Sequence, residues 1–185
     1  LSLLRGAGLN VEPSPVDIAE VPEPGEGPAE FALRMAIEKA CAGSDRFASN
    51  PVLAGDTVVT YDGRILGKPA DEGEALDMLR QLSGRTHQVI TGWALVVPGH
   101  DLQSGVVVSD VTFEALTDGL IEDYVATGEP MDKAGGYGIQ GHGGALVQAY
   151  TGDFSNIVGL PLPAVLLARR PRDLLSIWAA WQRSL

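Results

Sequence analysis

The chain has 185 residues, of which 45% are apolar, and its mean hydropathy is +0.09. This is enough apolar material for one domain, or for two lobes that share one core, and it excludes a disordered protein. The net charge of −11 argues against a nucleic-acid polymer as partner, because polymer binding needs a basic face that neutralises phosphates. A small phosphate ligand stays open, since a few lysines and a divalent cation can bind it.

Cysteine and hydropathy patterns narrow the class further. Cys41 is the single cysteine, and the three histidines have no metal-ligand spacing, so neither a disulfide nor a zinc site is expected. A reducing, cytoplasmic setting is predicted. No apolar run reaches ~18 residues and no signal peptide is visible, so no membrane association is expected. Residue 1 is not methionine, so the natural start is expected to lie upstream.

The first half of the chain predicts helices that alternate with strands. In chain order, the predicted elements are a helix at 1–7 closed by Gly8, an edge or irregular strand at 10–18, a loop at 21–28, a helix at 29–42, strands at 52–61 and 64–66, and a helix from Asp71 to Gly84. In the helix at 29–42, Phe31 and Met35 form an apolar stripe, and Lys39 lies at the end of that stripe. Lys39 either extends its ammonium past the core edge or has a function.

The second half predicts a central hairpin followed by a glycine-rich stretch. Its predicted elements are antiparallel strands at 86–97 and 105–116, a short helix after Thr117, the glycine-rich stretch 128–144, a strand at 145–152, short helical pieces at 153–160 and 162–168, and a helix at 172–184. Strands and helices mixed around a hairpin predict the α/β class with a mixed sheet.

Two polar positions in the first half are candidates for chemistry. Asp56 lies inside an apolar strand, where a carboxylate costs free energy unless it is paired, hydrogen-bonded or metal-bound. It is therefore either functional or a strand-end carboxylate that backbone N–H groups satisfy. Lys68 lies in a Gly-Lys-Pro turn before a helix, where it either meets a phosphate or is an ordinary exposed lysine.

The glycine-rich stretch holds the other candidates. Lys133 follows Asp132, and Gln140 lies further along. Glycine lets backbone approach a ligand closely, although the stretch is neither a Walker A loop nor a dinucleotide fingerprint, and a flexible turn is the alternative. The amide of Gln140 offers both a donor and an acceptor to a base edge. No nucleophile elbow is present, so serine or cysteine catalysis is not expected.

Together these segments resemble the Maf family (septum-formation-inhibitor-like proteins). The resemblance rests on ALRMAIEKA, LAGDTVVTYDGRILGKPADEGEALDMLRQLSGRTHQVITG, YVATGEPMDKAGGYGIQG and GDFSNIVGLPL. It implies an elongated α/β fold with a mixed sheet and a deep cleft, similar to inosine-triphosphate pyrophosphatases. It also implies hydrolysis of nucleoside triphosphates to monophosphate and pyrophosphate with Mg²⁺ or Mn²⁺, and a possible homodimer.

The resemblance also implies roles for individual residues. Asp56 matches the proton acceptor, Thr57 and Gln140 match positions of base selection, and Glu20, Lys39, Lys68 and Lys133 match positions that line the phosphate and metal region. Glu20 and Asp56 are expected to hold the divalent ion. The D-T-V-V and G-I-Q-G forms are similar to the branch that acts on dTTP and UTP, and modified pyrimidine nucleotides belong to the expected substrates.

One departure from the family pattern leaves an alternative open. The family's S-x-S-P-R-R motif, which follows an N-terminal strand and holds phosphates, is not found, and LSLLRGAG resembles the segment directly after it. The single Maf-like domain at 1–185 is therefore expected to lack its natural start. Without that motif the chain is expected to be weakly active or inactive, and the alternative function is a non-catalytic nucleotide-binding or septum/cell-division regulatory protein.

Overall fold

The structure is a computed structural model, and it describes residues 1–168. The helices are α1 (Ser2–Gly6), α2 (Pro28–Arg46), α3 (Glu72–Leu82), α4 (Asp118–Val125), α5 (Phe154–Val158) and α6 (Leu162–Leu167). The strands are β1 (Val52–Tyr61), β2 (Arg64–Leu66), β3 (Thr86–Val96), β4 (Gln103–Phe113) and β5 (Val147–Thr151). Short 3₁₀ turns lie at Glu129–Asp132, Ala134–Gly136 and His142–Leu146.

The strands form one sheet in the order β2-β1-β3-β4-β5. The predicted α/β class, a sheet flanked by helices, is confirmed. All four neighbouring pairs are antiparallel, so the parallel pairing of a mixed sheet does not occur among residues 1–168. Short connections reverse the chain between β1 and β2 and between β3 and β4, which accounts for two of the four antiparallel pairs. Asp62 (φ 51°) and Gly63 (φ 72°) form the first turn, as the Asp-Gly pair predicts.

One edge of β1 is open. β2 pairs with β1 only at Val59–Tyr61. Within the described part of the chain, no strand lies beside Val52–Val58 on that side. Asp56 and Thr57 lie in this open stretch, so within the described residues no strand pairs with their backbone on this side.

Helix α2 packs tightly on one face of the sheet. Its predicted apolar stripe is buried, with Met35 against Val58 and Ile90. The close approach depends on Gly92, the register partner of Asp56 in β3. A Cβ on Gly92 would lie 2.2 Å from the carbonyl oxygen of Ala32, so only glycine leaves room for the helix backbone.

The larger core lies on the opposite face, under α3, α4 and the glycine-rich stretch. Leu79, Leu82, Val89, Val111 and Ile121 are members of this cluster. The N-terminus of α3 is capped as predicted, because the Asp71 side chain accepts a hydrogen bond from the Glu74 N–H at 2.8 Å.

The segment at 10–18, predicted to be an edge strand or irregular, is irregular. The chain from Leu9 to Pro22 has no assigned helix or strand, because Pro13 and Pro15 cannot donate to a ladder and no neighbouring strand pairs with this segment. Ile18 still packs against the cluster under α2. The predicted helix at 172–184 lies outside the described residues. Within 1–168, no helix combines the length and the apolar character that crossing a bilayer requires.

Candidate active site

Asp56 and Lys39 form the centre of one charged cluster. Asp56 points from β1 toward α2, where the Lys39 Nζ lies 2.5 Å from its Oδ1. The same Nζ lies 2.7 Å from the Oε1 of Glu20. The Asp56 side chain is 10% exposed and that of Glu20 is 53% exposed. The lysine at the end of the apolar stripe is therefore not a free surface charge: it joins two carboxylates, one nearly buried and one facing solvent.

The ion pairs determine the protonation state of Lys39. Burial by itself lowers the pKa of a lysine, since the charged form loses solvation. Hydrogen bonds to Asp56 and Glu20 outweigh that effect, and the net result is a raised pKa. Lys39 is thus a permanent ammonium beside Asp56, and it holds the carboxylate in one orientation.

Arg34 positions the loop that carries Glu20. Its Nε lies 2.6 Å from the Oε1 of Glu26, and its Nη2 donates to Glu26 Oε2 at 2.7 Å and to the Val21 carbonyl at 3.0 Å. This two-pronged contact fixes the turn that follows Glu20. Sequence reasoning missed Arg34, because an arginine next to glutamates on an exposed helix face is also typical of a solvated surface.

The two carboxylates that pair with Lys39 are also suited to bind a divalent ion. Glu20 and Asp56 supply oxygen ligands of the kind that Mg²⁺ and Mn²⁺ prefer, and Mg²⁺ is commonly held by one or two carboxylates plus substrate phosphates. No group of three or more histidine, cysteine, aspartate or glutamate side chains suited to a metal occurs among residues 1–168. The residues therefore fit an ion whose remaining ligands come from a phosphate and water.

Thr57 points to the other face of the sheet, as strand alternation requires. Its Oγ1 lies 2.8 Å from the Oγ1 of Thr91, its register partner on β3. Asp56 and Thr57 therefore serve different sides of β1, although they are adjacent in the chain.

A second cationic group lies on that other side. Gly135 donates its N–H to the carbonyl of Gly67 at 2.9 Å, which joins the turn of Lys68 to the glycine-rich stretch. Lys133 forms an ion pair with Asp132. The hydrogen bond from Lys133 lowers the pKa of Asp132, and the positive charge of Lys68 lowers it further.

Glu129 is a functional candidate that sequence reasoning missed. Its Oε1 accepts hydrogen bonds from the Tyr124 hydroxyl at 2.9 Å and the Gly143 N–H at 3.0 Å, and its Oε2 accepts from the His142 N–H at 2.9 Å. The Tyr124 hydroxyl also accepts from the Gly138 N–H at 3.1 Å. We call Glu129 and Tyr124 the loop brace. The available signal was an acidic residue just ahead of a run of glycine N–H donors.

The loop brace determines where Gln140 lies. Gln140 is exposed, midway between the two segments that the brace holds. Backbone hydrogen bonds from Gly143 and His142 lower the pKa of Glu129 even though burial opposes this, so the brace carries a negative charge at neutral pH. Among the described contacts, no hydrogen bond joins Gln140 to Thr57, and none joins the Lys39 cluster to Lys68 or Lys133. Lys39 and Asp56 lie on the α2 face of the sheet, and the glycine-rich stretch packs over Val59 on the opposite face.

His87 serves the fold, as its position at a strand entry predicts. It is 2% exposed, and its Nε2 lies 2.7 Å from the hydroxyl of Tyr137 in the glycine-rich stretch. Phe113 packs edge-on against both rings. Burial lowers the pKa of His87 to about 4, so the ring is neutral at physiological pH and anchors the loop to the sheet.

Comparison with known proteins connects these residues to a family. The family model described as Maf-like protein matches residues 1–169. A dTTP/UTP pyrophosphatase of Geobacter metallireducens is 46% identical over 167 residues, which are 90% of this chain and 87% of the relative. A protein of the same name from Pyrococcus furiosus is 44% identical over 164 residues, 89% of this chain and 85% of the relative.

Two further similarities complete the comparison. The dTTP/UTP pyrophosphatase of Escherichia coli O157:H7 is 48% identical over 161 residues, 86% of this chain and 81% of the relative. The crystal structure of a nucleoside-triphosphatase / dITP/XTP pyrophosphatase from Mycobacterium abscessus is 18% identical, covers 95% of this chain and 89% of its own, and has a TM-score of 0.39, from which we draw nothing. The family match covers the whole described length, and this chain belongs to the family of Maf-like proteins.

Proposed function

We propose that this chain hydrolyses nucleoside triphosphates to a nucleoside monophosphate and pyrophosphate, with dTTP and UTP as preferred substrates. The observation that carries the proposal is the contact of Lys39 with both Asp56 and Glu20 beside the open edge of β1. Lys68 and Lys133, whose segments are joined on the other face of the sheet, support it. The relatives named dTTP/UTP pyrophosphatase support the choice of substrate.

Asp56 is the proposed proton acceptor. Its Oδ1 is bonded to Lys39, and among the described contacts its Oδ2 has no partner. Oδ2 orients a water and takes its proton as the water oxygen attacks the α-phosphorus. The bond between that phosphorus and the bridging oxygen then breaks, and pyrophosphate leaves. Such chemistry depends on positioning and charge stabilisation more than on covalent catalysis.

The lysines neutralise charge at different points of the triphosphate. Lys39 holds Asp56 and faces the reacting phosphate, whereas Lys68 and Lys133 bind the departing pyrophosphate. Asp132 holds the ammonium of Lys133, whose aliphatic stem passes Gly138; a Cβ there would lie 3.3 Å from its Cε. Glu20 and Asp56 would hold Mg²⁺ or Mn²⁺, which supplies Lewis-acid polarisation of phosphate oxygens when bound.

Base selection falls to Thr57 and Gln140 in this proposal. Gln140 is exposed and its amide presents a donor and an acceptor, which matches the alternating donor and acceptor edge of uracil or thymine. Thr57 contributes a hydroxyl on the same side of the sheet as the glycine-rich stretch.

The test is a product assay on the purified chain with dTTP, UTP, CTP and GTP, in the presence of Mg²⁺ or Mn²⁺ or with a chelator. We expect equal amounts of monophosphate and pyrophosphate, faster turnover of dTTP and UTP than of GTP, and loss of turnover on chelation. Release of inorganic phosphate instead would contradict attack at the α-phosphorus. Nucleotide binding by calorimetry without turnover would favour the regulatory alternative.

A further inference from the structure

The hydroxyl of Thr57 is tied to two buried groups on the far side of the sheet. Thr57 and Thr91 are register partners on neighbouring strands, and their Oγ1 atoms lie 2.8 Å apart. Thr91 is 0% exposed, so no solvent can serve as its partner. The Oγ1 of Thr91 also lies 3.1 Å from the backbone carbonyl oxygen of Asn156.

The number of hydrogens fixes the direction of both bonds. A threonine hydroxyl has one hydrogen, and a carbonyl oxygen can only accept. Thr91 therefore donates to Asn156, and Thr57 must donate its own hydrogen to Thr91. In the reverse order two acceptors would face each other in a buried place, which costs free energy.

Asn156 keeps this order in place. It is 0% exposed, and its Nδ2 donates to the Val89 carbonyl at 2.9 Å and to the Ser109 hydroxyl at 2.9 Å. These two bonds attach the Asn156 side chain to β3 and β4, and its backbone carbonyl, which faces Thr91, also accepts a hydrogen bond from the Gly159 N–H at 2.9 Å. The order of donors from Thr57 to Asn156 is thus built into the core.

Thr57 therefore presents only lone pairs to a ligand. Its residue is partly exposed, and its neighbour Gly159 has no side chain to cover it; a Cβ there would lie 3.5 Å from the Thr57 Oγ1. A hydroxyl whose hydrogen is already committed accepts a hydrogen bond and cannot donate one. It favours a ring nitrogen that carries hydrogen and disfavours one that does not.

We infer that Thr91 and Asn156 are positioning residues that make Thr57 an obligate acceptor, and that this selects the N3–H of uracil and thymine against the bare N3 of cytosine. The inference deepens the proposed function and rests on it. UTP and CTP differ only in this edge of the ring, so their relative turnover isolates the effect from size and from phosphate binding.

The test compares kcat/KM for UTP and CTP in the full chain and in two variants at Thr91. Thr91→Val keeps the shape and removes the hydroxyl, so Thr57 becomes free to donate to cytosine N3. We expect the UTP-to-CTP ratio to fall about tenfold, through the mismatch of one hydrogen bond. Thr91→Ser keeps the hydroxyl and should keep the ratio.

Three outcomes separate the possibilities. An unchanged ratio in a folded Thr91→Val protein would overturn the inference, and so would an equal fall in Thr91→Ser, which would indicate packing alone. If Thr91→Val does not fold, Thr91→Ala carries the same expectation with a smaller side chain. Wild-type chain that turns over neither nucleotide would overturn the proposed function, and the inference with it.

Discussion

The two sides of the open β1 edge are built in different ways. On the α2 side, Lys39 and Asp56 extend from a long helix and a long strand, and charge meets charge at 2.5 Å. On the loop side, Lys68 and Lys133 extend from turns, and the main acidic group, Glu129, binds backbone N–H groups and a hydroxyl.

This difference separates chemistry from recognition. Regular elements hold side chains with little freedom, which suits groups that must meet a reacting phosphate within tenths of an ångström. A glycine-rich turn adapts more easily to a ligand and suits contacts to a base and to a leaving group. We therefore expect changes on the α2 side to act on turnover, and changes on the loop side to act on substrate affinity and on acid stability.

The largest effect is expected from Asp56→Asn. The amide cannot take a proton from water, so pyrophosphate release should fall at least about 100-fold. Asp62→Asn is the matched control, because Asp62 is exposed in the β1–β2 turn and asparagine accepts its φ of 51°. Turnover close to that of the wild type in a folded Asp56→Asn protein would contradict the role of Asp56.

Acid should lower the free energy of unfolding through His87, which anchors the glycine-rich stretch to the sheet. Its pKa of about 4 in the folded chain is below the ordinary value of 6.5, so between these values the unfolded chain binds a proton that the folded chain does not. The stability present above pH 6.5 should fall by about 2 kcal/mol between pH 7 and pH 5. Urea unfolding at the two pH values measures the loss.

Two variants isolate the contribution of His87. His87→Gln keeps a polar partner for Tyr137 without a titrating ring, so its pH-dependent loss should be smaller by that amount. His100→Gln, at an exposed position, should match the wild type. Equal losses in wild type and His87→Gln would show that the buried histidine does not carry the acid sensitivity.

The loop brace should act on affinity. The Glu129 carboxylate accepts hydrogen bonds from the His142 and Gly143 N–H groups, and Glu129→Gln places an amide N–H₂ against one of these donors. This loss loosens the segment that carries Gln140. The KM for UTP should rise about tenfold with kcat nearly unchanged. Glu122→Gln, on the exposed face of α4, is the control. A fall in kcat at constant KM would show that Glu129 supports turnover, and would contradict the assignment of substrate affinity to the loop side.

The smallest effect is expected from Arg34→Lys. Lysine keeps the charge but loses the two-pronged contact with Glu26, so Glu20 should become less well placed and kcat/KM should fall about threefold. Arg46→Lys, at the exposed end of the same helix, should leave kcat/KM unchanged. An effect on KM alone would mean that Glu20 helps to bind substrate and does not support turnover.

Most of the fold could be predicted from the sequence because its signals are local. The helix period of α2, the Asp-Gly turn and the Asp71 cap each depend on a few consecutive residues. The segment at 10–18 has strand-forming residues too, but pairing depends on a distant partner edge, which no local pattern shows. The antiparallel pairing of β3 with β4 is predicted by the hairpin pattern and is confirmed, whereas the pairings of β1 with β3 and of β4 with β5 join distant segments and could not be predicted.

The site residues also divide into those with a local sequence signal and those that depend on distant contacts. Lys39 and Asp56 stood out because each is a charge in an apolar run. Glu129, Arg34 and Thr91 act through contacts with backbone groups or hydroxyls that lie far away in the chain or belong to irregular segments. A lone glutamate, arginine or threonine carries no sign of such a contact.

Gly92 has a consequence for engineering. Glycine in a strand interior is an obvious target for stabilisation, since a larger residue restricts the unfolded chain. Here a methyl group would have to displace the α2 backbone by about 1 Å or more, and Lys39 would move away from Asp56 with it. Gly92 thus allows the close contact between Lys39 and Asp56. Selection for a larger residue at position 92 to gain thermal stability would therefore reduce activity.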